Sequence, residues 1–138
     1  MDNLAAVLDL ALARALVIRD VDADLGTFHG LSLSDFAILR ELDAAPGQRL
    51  RRVELAERLG VTPSGVARQL APLERIGLVA RESHARDARL ALVVLTDTGA
   101  RVFREALPTA DESAARALSR WPVPDRERLS TLLARVRR

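Results

Sequence analysis

The chain has 138 residues, enough for one folded domain with a buried core. It contains no cysteine, which excludes disulfides, thiol switches and thiolate metal sites. All 21 basic side chains are arginine, and against 19 acids they leave a net charge of only +2, on groups that do not titrate near neutrality.

The charge is unevenly placed. Residues 1–48 carry three Arg against eight acids, residues 49–89 nine against five, and residues 90–138 nine against six. A compositional bias toward arginine would explain the total; the middle excess still marks where a polyanion would land. No apolar run reaches membrane-spanning length, and Met1-Asp2-Asn3 opens without a basic region before an apolar core. The expectation is a cytoplasmic protein with no membrane partner.

Leu4, Val7, Leu8, Ala11, Ala15 and Ile18 recur near helical spacing, widened by Leu12 and Leu16. This predicts a long helix over 4–25, whose stripe fits either the chain's own core or a subunit interface. Gly26 and Gly30 are expected to break it. Phe28 and His29 then fall in a loop, where a histidine is either solvated or part of a ligand pocket or pH-responsive contact. Ser32 or Ser34 is placed to cap the next helix, with Asp35 in its first turn and Phe36, Leu39 and Leu42 facing inward. Ala44 to Gly47 ends it, and residues 48–50 suit a short strand.

A helix over 51–59 follows, with Leu55, Ala56 and Leu59 inward; Ala56 allows a second helix to cross closely. Arg51 stands where a capping Ser or Thr would be favoured. Gly60 permits a tight turn. Thr62 caps a new helix with Pro63 at its first position. Val66, Leu70, Leu73 and Ile76 form the predicted buried stripe, and Ser64, Gly65, Arg68 and Gln69 fall opposite. That outer face is either plain solvated surface or a major-groove reader. Small residues permit close approach, and Arg and Gln bond guanine and adenine edges in pairs. Pro72 is expected to kink the helix, and Gly77 to end it.

Residues 78–82 and 90–95 read as strands. Between them lies His84-Ala85-Arg86-Asp87-Ala88-Arg89, either a solvated loop or a clamp in which a carboxylate aims an arginine into a minor groove. Thr96 is the expected cap of the next helix, which Pro108 bends or breaks and which continues to about Arg120. Trp121 to Pro124 reads as a turn. Asp125 opens a last helix with Leu129, Leu132, Leu133 and Val136 on one side, a stripe in need of a partner. No nucleophile–base grouping, Gly-rich phosphate loop or metal-ligand spacing is present, so no enzyme, cofactor or metal is expected.

The run from Leu31 to Thr98 resembles the MarR family of winged helix-turn-helix regulators. LSLSDFAILREL resembles its second helix, and VELAERLGVTPSGVARQLAPLERIGLV its helix-turn-helix. RDARLALVVLTDTG resembles its wing, including Asp87, Arg89 and the closing Leu95-Thr96-x-x-Gly99. The resemblance implies a mainly α fold with a small β-hairpin. Residues 31–99 would form the DNA-binding lobe, with dimerisation helices at 1–30 and 100–138. It implies a homodimer on double-stranded DNA, with Thr62, Ser64, Gly65, Arg68 and Gln69 on or near the reading helix. Asp87 would orient Arg89 in the minor groove, with Arg86 nearby. Gly65 departs from the larger polar residue usual there. A small aromatic or phenolic effector is also implied, for which Phe28, His29 and Phe36 are the candidate lining. The alternative is a winged-helix protein-interaction module that does not bind DNA.

Overall fold

Local signals set most boundaries in the computed structural model, which describes residues 2–83, 86 and 90–137. Helix α1 spans Asn3–His29, with the Asp2 carboxylate accepting the Ala5 N–H at its start. It does not stop at Gly26. Gly26 keeps helical backbone, and its carbonyl accepts the N–H of Gly30, which takes the left-handed conformation (φ +67°) and ends the helix. Phe28 and His29 therefore lie on the last helical turn, not in a loop. An interior glycine costs about 1 kcal/mol, which the flanking buried Val21 and Leu25 offset.

Helix α2 (Leu33–Ala44) starts directly after Ser32 and buries Phe36, Ile38, Leu39 and Leu42. A single 3-10 turn leads to β1 (Arg49–Arg51), then α3 (Arg52–Leu59) and α4 (Pro63–Arg75). The wing strands β2 (Val79–Glu82) and β3 (Leu92–Leu95) pair antiparallel, Val79 opposite Leu95 and Glu82 opposite Leu92. Strand β1 joins the other side of β3, with Leu50 opposite Val93, so the hairpin becomes a three-stranded sheet ordered β1-β3-β2. Val93 and Leu95 point inward and their neighbours are more exposed, the alternation of a half-buried sheet.

Helix α5 runs Asp97–Ala117 without a break at Pro108 and ends before the expected Arg120; α6 spans Val123–Val136, so the link is residues 118–122 rather than the expected turn at Trp121 to Pro124. Pro108 lacks the N–H that would bond the Arg104 carbonyl. The chain divides there into two compact units, residues 1–32 with 108–138 and residues 33–107.

Within 33–107 the core is Ile38, Leu39, Leu42, Leu55, Val66 and Leu73, all fully buried, with the Phe36 and Phe103 rings 5.1 Å apart. Each such side chain contributes about 1.5–3 kcal/mol by leaving water. Ile76 does not join them; it is 62% exposed. The helix has already ended, and Leu78, whose N–H bonds the Leu73 carbonyl, fills the interior instead.

In the other unit, Asp24 of α1 accepts hydrogen bonds from the buried Ser113 hydroxyl (2.6 Å) and from the Arg116 guanidinium, both on α5. His29 Nε2 meets Thr109 Oγ1 at 2.8 Å. The amino-terminal half of α1 is apolar and uncovered, with Leu4, Val7, Leu8, Leu12 and Leu16 exposed. Helix α6 buries nothing, and Leu132, Leu133 and Val136 are exposed. Among the described residues no helix is long and apolar enough to cross a membrane.

Candidate nucleic-acid interface

The turn between α3 and α4 needs little chain. Gly60 adopts φ +66° and closes α3, and the Val61 N–H bonds back to the Ala56 carbonyl at 3.0 Å. Leu55 and Ala56 are buried where the two helices meet. Arg51 provides no side-chain cap for α3, as its chemistry predicts. Its guanidinium instead bonds Glu54 Oε1 at 2.6 Å, and that bond raises the Arg51 pKa above its ordinary value.

Thr62 caps α4: its Oγ1 accepts the Gly65 N–H at 3.0 Å, and Ser64 Oγ lies 3.3 Å away. Gly65 is the residue that tolerates this cap best. A Cβ there would sit 3.0 Å from Thr62 Oγ1, so a side chain would press on the cap. The missing side chain is thus tied to the geometry of the helix start. Ser64 and Arg68 are exposed on the outer face, and Gly65 and Gln69 are half-buried at its edge. The sequence reading stops at Gln69, but α4 runs through Pro72 to Arg75, exposed and seven residues after Arg68. Two near-complete turns put both arginines on one face, a spacing that the sequence already carries.

Several other arginines of this lobe are spent internally. Arg49 Nη1 bonds both Glu82 carboxylate oxygens, at 3.0 and 2.8 Å. Arg81 of β2 bonds Glu74 of α4 at 3.3 Å, and Arg58 of α3 lies 3.5 Å from Glu41 of α2. These exposed pairs are each worth about 0–1 kcal/mol; their larger effect is to neutralise local charge. Arg68 and Arg75 pair with no carboxylate among the described residues. Arg86 is exposed in the wing loop. His84, Asp87 and Arg89 lie outside the described residues, so the expected Asp87–Arg89 clamp does too.

One hydroxyl makes several of the bonds at the base of the wing. Thr96 Oγ1 faces the Gly77 and Leu78 carbonyls at 2.6 and 3.0 Å and accepts the Gly99 N–H at 3.0 Å. It thereby caps α5, as predicted, and also ties the exit of α4 to the start of β2.

The proposed effector residues are divided between the two compact units. Phe36 is buried in the core of residues 33–107 against Phe103. Phe28 is 70% exposed, and His29 is bonded to Thr109, in the other compact unit. The cavity beside α4, lined by Leu70, Glu74, Val79, Arg81 and Leu92, holds about 20 Å³, room for one water and not for an aromatic ring. No group of three or more metal-ligating side chains occurs among the described residues.

Helices α3 and α4 joined by a tight turn, followed by an antiparallel wing on β1, define a winged helix-turn-helix protein. The MarR family model matches residues 29–90. Over 106 residues the chain is 31% identical to the transcriptional regulator HosA of Escherichia coli, covering 77% of each chain. Among solved structures it is similar to Sco3205, a MarR family regulator of Streptomyces coelicolor in complex with DNA. That match has a TM-score of 0.84 at 26% identity, covering 98% of this chain and 84% of that one. It is also similar to the Mycobacterium tuberculosis MarR family protein Rv2887 in complex with salicylic acid. The TM-score there is 0.67 at 31% identity, over 92% of each chain. The chain belongs to the MarR family of transcriptional regulators, and is a regulator rather than an enzyme.

Proposed function

We propose that the chain is a homodimeric repressor that binds a roughly palindromic DNA operator and is released by a small aromatic or phenolic effector. The observation that carries this reading is the outer face of α4. It has a capped amino-terminus, small residues at its tip and an unpaired Arg68. Such a face approaches base edges closely and offers one bidentate donor to guanine. The wing residues Arg86, Asp87 and Arg89 are assigned to the flanking minor groove. The DNA complex of Sco3205 supports this reading.

The dimer is assigned to residues 1–30 and 100–138. The support is the uncovered apolar side chains of α1 and α6 within the single chain, among them Leu4, Val7, Leu8, Leu12, Leu132 and Val136; exposed apolar patches mark interaction sites. The effector is assigned on the strength of the salicylic acid complex of Rv2887 and the exposed Phe28 ring.

Selection from a random DNA library at fixed salt tests the reading. The expected product is a palindrome with half-sites about one helical turn apart, and salicylate added to the binding reaction lowers the affinity. Replacing Arg68 by Ala relaxes preference at one base position per half-site, and replacing Arg89 by Ala weakens binding by about 1–3 kcal/mol. Absence of binding even at low salt would refute the reading in favour of a protein-interaction module.

A further inference from the structure

We infer that Arg75, at the far end of α4, is a second DNA contact of the reading helix and that its ligand is a backbone phosphate, not a base. The inference rests on the DNA-binding reading above. Arg68 and Arg75 are both exposed, share one face and lie about 10.5 Å apart along the helix axis. A major groove is about 12 Å wide. With Arg68 over the base edges, a cation that far along the helix reaches the wall of the groove, where the phosphates are.

Three further features of α4 fit this division. The surface between the two arginines is Ala71 and Pro72, both exposed and neither charged, so nothing there competes for the duplex. Pro72 does not interrupt the helix, so Arg75 is held on the same rigid rod as Arg68. The neighbouring carboxylate that would repel a phosphate, Glu74, is engaged by Arg81. Arg49, Arg51, Arg58 and Arg81 all have carboxylate partners, whereas Arg75, like Arg68, has none among the described residues.

The two roles separate in a salt series. Affinity of the full-length protein for its selected operator is measured from low to moderate salt for the wild type, Arg75→Gln and Arg75→Lys, with thermal melts confirming the fold. A phosphate contact releases counterions, so Arg75→Gln lowers the log–log salt slope by about 0.9 per subunit. It weakens binding on the order of tenfold, evenly across operator variants. Arg75→Lys keeps the slope, since a point charge suffices for a phosphate.

An unchanged slope in Arg75→Gln overturns the inference. So does a slope lost in Arg75→Lys, or a change of base preference at one position, which would make Arg75 a base reader. Wild-type protein that binds no DNA removes the DNA-binding reading and this inference with it. Wild-type binding with an unaltered Arg75→Gln slope removes the inference alone.

Discussion

Replacing Gly99 by Ala sets two effects against each other, and the structure decides between them. Gly99 sits in the first turn of α5 with ordinary helical backbone, so helix propensity and chain entropy favour alanine by about 0.4–1 kcal/mol. Sterics oppose it. A Cβ at 99 would lie 2.0 Å from the Leu78 carbonyl oxygen and 2.8 Å from Leu95 Cδ1, whereas real Cβ contacts stay above 3.0 Å. The carbonyl must therefore move by about an ångström, an overpacking cost of about 1–3 kcal/mol. That same oxygen accepts the Thr96 N–H at 3.1 Å and faces the Thr96 hydroxyl at 3.0 Å. Weakening these bonds adds about 0.5–1.5 kcal/mol each. The expected net destabilisation is about 2–4 kcal/mol. In urea, with a slope of about 2 kcal/mol per molar, the unfolding midpoint falls by about 1–2 M. The measurement is made at one fixed protein concentration, so that mass action does not enter the comparison. A Gly99→Ala protein as stable as the wild type would refute the close-approach argument.

Three further outcomes follow from the same coordinates. Gly26→Ala stabilises by about 0.4–1 kcal/mol: the residue is helical and its Cβ would meet only the Leu31 carbonyl, at 4.0 Å. A lowered melting temperature would show that reasoning to be wrong. Thr62→Ala costs about 1 kcal/mol in DNA-free protein through loss of the α4 cap, and Thr62→Ser recovers most of it, as read from denaturation midpoints. Asp24 is held below the usual carboxylate range, first by the Ser113 hydroxyl and then by Arg116. A depressed folded-state pKa gives stability that is present above the unfolded value and lost as pH falls through the folded one. Unfolding midpoints therefore drop on acidification below about pH 4, and Asp24→Asn flattens that part of the profile; an unchanged acid limb in the variant would discount the cluster.

Much of the winged lobe is legible in the sequence because its determinants are local. Thr62 and Thr96 cap helices by bonding an amide three residues on. The strands follow from runs of branched residues between turn signals. Ile76 fits the apolar period yet lies outside, because periodicity does not say where a helix stops; Leu78 supplies the inward side chain after the turn. Gly26 and Pro108 mislead for a different reason. Each weakens a helix by an amount that a short window can assess, but side chains buried beside it on the same helix outweigh that cost, and their burial depends on packing that a window does not contain. Phe36 has a ring partner, Phe103, that lies 67 residues on and so is not visible to any local reading. The charge on the lobe was the least legible property. Nine arginines against five acids suggests a broadly basic surface, whereas the fold matches Arg49, Arg51, Arg58 and Arg81 with carboxylates and leaves the excess in few places.

The single hydroxyl of Thr96 touches the two residues that link α4 to β2, Gly77 and Leu78, and the first turn of α5. Three elements that a regulator would have reason to move separately are pinned at one point. Within residues 33–107, displacing the exit of α4, the entry to β2 or the start of α5 therefore strains bonds made by the same side chain.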